Sequence, residues 1–287
     1  MAKGFFAGGR SSDVFRLAVI VPYTVFLLLP LYWVATASVK TPQEVLTDPP
    51  TWYPRHPTLD HFRNALGQLR GWQGIQTSLV VSITATVFAV LIGTGAAYSI
   101  ARYRTGGKHL SFWFLSQRIL PAIAVVIPMF LLFSRYSKEW LGFALIDTRV
   151  GLILVYTVFA LPFTVWMMYA YFSQMPVELE EAALVDGCSR VQALVKIAWP
   201  LARPGVISAA AFAFIFSWTE FLFALVLTRD KVVTLPVVIG GLAASTQGSG
   251  YGPVAALGVL SLGPALVLGL FLQRHLVRGL TLGAVKG

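Results

Sequence analysis

The chain has 287 residues, of which 56% are hydrophobic and 12% charged, with a mean hydropathy of +0.72. Soluble domains carry about 25% charged residues, and half of that cannot coat a water-facing surface of this size, so a soluble globule is excluded and the chain reads as a membrane protein. The net charge of +10, from 22 Lys and Arg against 12 Asp and Glu, is expected to set orientation in a bilayer rather than to recruit a nucleic acid.

A membrane-spanning helix needs about 20 mostly apolar residues. The first such run, 17–39, follows the basic residues Lys3, Arg10 and Arg16. Ala35, Thr36 and Ala37 imitate a signal-peptidase site, but the apolar run is longer than a secretory signal's core, so an uncleaved span is expected. Residues 71–101 carry no charge and hold a second span at about 77–101. The third, 110–134, contains Arg118, and the fourth covers 150–174. The fifth, 205–228, contains Glu220, and the sixth covers 252–273. The expected architecture is therefore all-α, with six transmembrane helices and both termini on one side.

Lys and Arg decide which side. With the N-terminus inside, the inner segments hold twelve basic residues and the outer ones nine, leaving Arg118 within a span. The short basic turn with Arg102, Arg104 and Lys108 is the better witness, because short basic loops stay inside most reliably. This gives N-in and C-in, with tails at 1–16 and 274–287 around a six-span transmembrane domain at 17–273. The Pro-rich first outer loop, 40–76, carries Trp52, Tyr53 and Trp72, suited to interfacial anchoring. His56 and His61 in that loop, beside Asp60, are expected to be ordinary solvated residues rather than metal ligands.

Residues 176–204, between the fourth and fifth spans, have structure of their own. Pro176 suits a helix start, and Glu178, Glu180 and Glu181 oppose the helix dipole favourably in the first turns. Gly187 can end that helix in the left-handed conformation, and Ser189 can cap a second helix with Val191, Leu194, Val195 and Ala198 at helical spacing. Pro200 and Pro204 are expected to stop it. Two short amphipathic helices follow, the first presenting an acid-rich face with Ala182 and Ala183 small enough for another surface to approach closely. On the residues alone, a partnerless connector at the membrane surface remains an equal reading.

Glu181, Ala182 and Ala183, then Gly187 preceded by Asp186, then Ile197 and Pro200 resemble the EAA pattern of binding-protein-dependent ABC importer permeases. Trp199 stands where that pattern usually has Leu. Arg118, Ile119, Leu120 and Pro121, and the C-terminal GLTLGAVKG, resemble the maltose-permease-like subunits of carbohydrate importers. The resemblance implies a multi-pass subunit of a bacterial inner membrane that pairs with a second, homologous permease. It also implies a cytoplasmic ATPase dimer binding ATP and Mg, and an extracytoplasmic substrate-binding protein that delivers a sugar or polyol. Glu181, Ala182, Ala183, Asp186 and Gly187 would form the element docking into the ATPase, with Glu181 paired to a basic residue there. This chain would bind no cofactor and hydrolyse no ATP.

Arg118 and Glu220 would each cost at least about 2.5 kcal/mol if exposed to hydrocarbon, so each should face the bundle interior, a cavity or an interface. Both a pathway contact and a structural pair fit them. Trp218, Tyr156 and Trp166 could stack on sugar rings, although aromatic residues in spans usually serve packing. Gly93 with Ala97, and Gly95 with Ser99, form small-residue pairs that favour close helix packing. Gly106, Gly107 and Lys108 run into His109 without the glycine spacing of a Walker A loop, and no G-x-S-x-G or H-E-x-x-H occurs. An ion-driven secondary transporter is the alternative, but it usually needs several buried acids and broken inverted repeats, and it leaves the 176–204 loop without a purpose. An intramembrane enzyme would need a nucleophile–base or metal constellation, which is lacking.

Overall fold

A computed structural model of the protein describes residues 10–117, 120–245 and 251–283, and every regular element among them is helical. In chain order these are α1 (Arg10–Ala37), α2 (Pro42–Val45), α3 (Asp60–Gly67), α4 (Gly71–Tyr103), α5 (Gly107–Ser116), α6 (Ala122–Leu131), α7 (Ser137–Leu141), α8 (Arg149–Gln174) and α9 (Glu178–Val185). There follow α10 (Arg190–Ala193), α11 (Trp199–Leu201), α12 (Arg203–Trp218), α13 (Leu222–Leu227), α14 (Leu235–Ser245) and α15 (Tyr251–Gly283). Single π-helical turns at Leu132–Tyr136 and Leu194–Ala198 join α6 to α7 and α10 to α11. Arg16–Ala37, Gly71–Tyr103, Arg149–Gln174 and Tyr251–Phe271 are each long and apolar enough to cross a membrane. A pair bent by 78°, Arg190–Leu201 with Arg203–Trp218, is a fifth candidate.

The chain forms two compact units, Met1–Leu69 with Ile239–Leu260, and Arg70–Val238 with Ser261–Gly287. In the first, α1 keeps its apolar side chains exposed from Leu17 to Trp33, as a helix bathed in lipid does. The loop after it is organised by buried charge. The Glu44 carboxylate accepts hydrogen bonds from the Arg55 amide at 2.7 Å and the Thr51 hydroxyl at 3.1 Å. The Arg55 amide is the main cause holding its pKa below the usual carboxylate value, against a smaller opposing push from burial. The Lys40 ammonium donates to the Thr51 carbonyl and lies 4.8 Å from the Trp33 ring centre. His61 departs from the solvated loop residue expected. It is 4% exposed, its Nε2 lies 2.7 Å from the Lys40 carbonyl, and its ring fills the space a side chain at Gly252 would need. His56 remains exposed.

The second unit is built around α4, α8 and α12. Near the Gly71 end of α4, Val81 and Ala85 pack with Leu152 and Tyr156 of α8, Val126 of α6 and Phe223 of α13. Near the Tyr103 end, Ala97 and Tyr98 pack with Val165, Met168 and Phe172 of α8 and Ala209 of α12. Between these clusters α4, α8 and α12 meet through three alanines, Ala89, Ala160 and Ala213. Gly93 continues this close approach, since a Cβ there would sit 2.7 Å from the Thr164 methyl. Low residue numbers of α4 therefore meet low numbers of α8, so these two helices run in the same direction, and α12 with α13 runs against them.

Two helices pointing the same way require the chain between them to return. The expected third span makes that return in pieces: Leu110 and Phe114 of α5 pack at the Tyr103 end of α4, and Val126 of α6 at its Gly71 end. The expected fifth span is also interrupted. Helix α12 ends at Trp218, and α13 begins at Leu222. The preceding helix ends at Leu201, between Pro200 and Pro204, and Pro204 stands in the first turn of the next. The backbone stays helical into α11 and bends at Ala202, where ψ is 0°, into α12. Of the small-residue pairs, Gly93 and Ala97 are buried, whereas Gly95 has nothing within 4 Å of an added Cβ.

Candidate coupling site

The sequence between α8 and α12 builds a compact helical elbow. Three glutamates occupy the first turns of α9, at the positive end of its dipole. The helix ends in a Schellman motif: the Cys188 amide donates to the Ala183 carbonyl at 2.9 Å and the Gly187 amide to the Leu184 carbonyl at 3.1 Å. Gly187 sits at φ +87°, a conformation a side chain resists, which explains a glycine here. Ser189 then caps α10 through a capping box with Gln192, at 3.3 Å and 2.8 Å for the reciprocal bonds.

What holds this elbow is an ion pair. Arg102, at the end of α4, places its Nε 2.8 Å from Glu180 Oε1, and both side chains are only 7% exposed. The other carboxylate oxygen accepts the Tyr98 hydroxyl at 2.5 Å, and Arg102 Nη2 donates to the Met175 carbonyl at 3.2 Å. Each buried charge is thus hydrogen-bonded as well as paired, the condition under which burial is tolerated. Arg190 lies 4.8 Å over the Tyr103 ring. An open pocket of about 240 Å³ lies alongside α9, lined by Tyr98, Arg102, Tyr103, Glu180, Glu181 and Arg190 among others.

The docking residues expected from sequence fall on two sides. Glu181, Ala182, Asp186 and Gly187 are exposed, next to Val185 at 87% exposure. Ala183 is 7% exposed and faces the chain itself, so it lets α9 sit close to its own seat instead of presenting a small surface outward. Glu180, which sequence reasoning did not separate from Glu181, is the buried one. The signal was present, because Glu180 and Ala183 are three apart on one helical face while Glu181 falls one step round it.

The polar residues expected inside spans are accounted for as follows. Arg118 lies outside the described residues. Glu220 sits in the break between α12 and α13, where its Oε1 accepts the Phe223 amide at 3.0 Å and caps α13, and its own carbonyl is 3.4 Å from the Tyr156 hydroxyl. Trp218 is 4% exposed, donates to the Ser261 carbonyl at 3.0 Å and stacks on Phe214. Trp166 is half exposed.

Asp147 was not singled out by sequence, yet its carboxylate accepts four backbone amides, those of Arg229, Asp230, Lys231 and Val232, at 2.9–3.2 Å. Burial pushes its pKa up, and the four amides together outweigh that and hold it below the usual aspartate value.

The chain matches the family described as "binding-protein-dependent transport system inner membrane component" across residues 89–282, more than half its length and including the whole elbow. It belongs to that family of importer permeases. The permease is 37% identical over 268 residues to the trehalose transport system permease protein SugB of Mycobacterium tuberculosis, covering 91% of this chain and 93% of that one. It is 32% identical over 263 residues to the diacetylchitobiose uptake system permease protein DasC of Streptomyces coelicolor, covering 91% and 92%. Its fold matches a chain of a bacterial ABC transporter for alginate import at a TM-score of 0.73 and 22% identity, covering 93% of the permease and 98% of that chain. The permease is accordingly a transport component whose ATPase is a separate subunit, not an enzyme.

Proposed function

We propose that this permease forms half of the translocation pathway of an ATP-driven importer for a sugar, polyol or related carbohydrate, together with a second, homologous permease. The carbohydrate assignment is supported by relatives whose names specify trehalose and diacetylchitobiose. The observation that carries the coupling role is the exposed face of α9, bearing Glu181, Ala182 and Asp186 on a helix fastened from beneath by Arg102. In this reading that face docks into a cytoplasmic ATPase dimer, Glu181 pairing with a basic residue, and an extracytoplasmic binding protein delivers the substrate at the opposite membrane surface. ATP and Mg belong to the partner subunits, and this chain binds no cofactor.

Six spans with both termini inside a bacterial inner membrane are part of the same reading. The parallel course of α4 and α8 supports a third crossing through α5 and α6, and the antiparallel α12 and α13 support a fifth made of two pieces. With α1 and α15 these make six. An affinity isolation of the tagged chain from mild detergent, followed by mass spectrometry, tests the assembly. Recovery of a second permease and an ATPase is expected. Recovery of the chain alone after crosslinking, with uptake driven by an ion gradient, contradicts the reading and favours a self-sufficient secondary transporter.

A further inference from the structure

We infer that α4 is the strut by which the docking helix α9 drives the segment 229–235 at the far end of the bundle, with Arg102 and Glu180 as the positioning residues that fasten α9 to it. The inference rests on the importer reading above and adds to it a specific load path within this chain.

Three observations carry it. At one end of α4 the Arg102–Glu180 pair has both side chains 7% exposed and is braced by further hydrogen bonds to the Tyr98 hydroxyl and the Met175 carbonyl, so α9 cannot shift relative to the helix end without breaking a largely buried ion pair. The rod itself is stiff. Helices α1, α8 and α15 each contain proline, whereas α4 runs 33 residues with none, about 50 Å at 1.5 Å per residue. At the other end α4 holds the segment directly: Arg70 Nη2 donates to the Asp230 carbonyl at 2.5 Å, Gln73 Nε2 to the Lys231 carbonyl at 3.0 Å, and Ser78 Oγ accepts the Leu235 amide at 2.8 Å. Asp147 accepts the amides of residues 229–232 in the same segment.

The alternative routes out of α9 are softer. Helix α8 carries Pro162, and the path through α10 to α13 crosses a π-turn, the 78° bend and the break at Glu220. A displacement delivered to α9 is therefore passed on through α4 with the least loss to bending, and it arrives at the segment 229–235, which α4 and Asp147 both hold.

The test uses the assembled complex, with Cys188→Ser to remove the native thiol and Asp230→Cys to carry an environment-sensitive fluorophore. The Asp230 carbonyl contact is made by backbone, so this labelling leaves it in place. The signal is read before and after ATP with orthovanadate, in the otherwise unchanged chain and in the double variant Arg102→Met with Glu180→Leu. That double variant removes the ion pair and leaves no unpaired buried charge, and its melting temperature and retained ATPase check that it folds. Arg102→Lys serves as the conservative variant.

The expected result is a nucleotide-dependent signal at position 230 that is lost in the double variant while the ATPase still co-purifies, and that is partly kept by Arg102→Lys. An equal response in the double variant overturns the inference, as does a silent label in the unaltered complex with the ATPase bound. Failure to recover any ATPase with the unaltered chain defeats the importer reading itself, and the inference falls with it.

Discussion

Neighbouring carboxylates on a helix are separated by about 100° of rotation, and at positions 180 and 181 that rotation divides a buried, ion-paired carboxylate from an exposed one. The same economy is seen at Glu220, whose carboxylate ends one helix break by capping the next helix. Glu220→Ala should therefore destabilise the protein by about 1 kcal/mol, the usual cost of a lost N-cap acceptor. Glu220→Gln keeps a carbonyl acceptor and should unfold at the wild-type temperature in detergent, which makes it the variant in which any transport defect reports the charge. Equal losses of stability in both variants would contradict the capping role.

Asp147 gives a prediction with a definite sign. Its folded pKa lies below the ordinary value of 3.8, so its contribution to stability is complete above that pH and is lost as pH falls through 3.8 toward the folded value. Asp147→Asn should lower the melting temperature at pH 7, and the gap from wild type should close in acid below pH 3.8. A gap that stays constant with pH would show that the four amides do not depend on the charge.

At the scale of elements, the packing of α4 on α8 predicts a contrast between two glycines two residues apart. Gly93→Ala places a methyl 2.7 Å from the Thr164 methyl and 3.0 Å from its Cβ, which should cost about 1–3 kcal/mol as overpacking. Gly95→Ala meets nothing within 4 Å and should be neutral or slightly stabilising. Thermal unfolding of the two variants side by side checks this, and equal effects would contradict the close approach. The sequence pattern named both glycines because spacing alone does not say which face of a helix has a neighbour.

The elements legible from sequence were those written by local chemistry. The long apolar runs became α1, α4, α8 and α15, and the Gly187 and Ser189 signals gave a helix stop and a helix start where expected. What stayed hidden depended on contacts distant in sequence. Glu180 meets Arg102 across 78 residues, and Asp147 meets Arg229 across 82. The burial of His61 is equally invisible, because nothing nearby in sequence announces that Gly252 makes room for its ring. The break at Glu220 was equally obscure, since an apolar run of sufficient length reads as one span whether or not its helix is continuous.

In the proposed importer the elbow between α8 and α12 transmits force from a separate ATPase, with Glu181 facing that partner and Glu180 facing the bundle. Helices α4 and α8 run in the same direction and both pack at the elbow, which the family match covers in full. The most direct measurement is the yield of ATPase co-purified with the tagged chain from membranes, compared between wild type and Glu181→Lys. The charge reversal should remove the ATPase, leave the second permease bound, and leave the melting temperature of the chain unchanged, because Glu181 is exposed and takes no part in the Arg102 pair. An undiminished yield of ATPase with Glu181→Lys would contradict it.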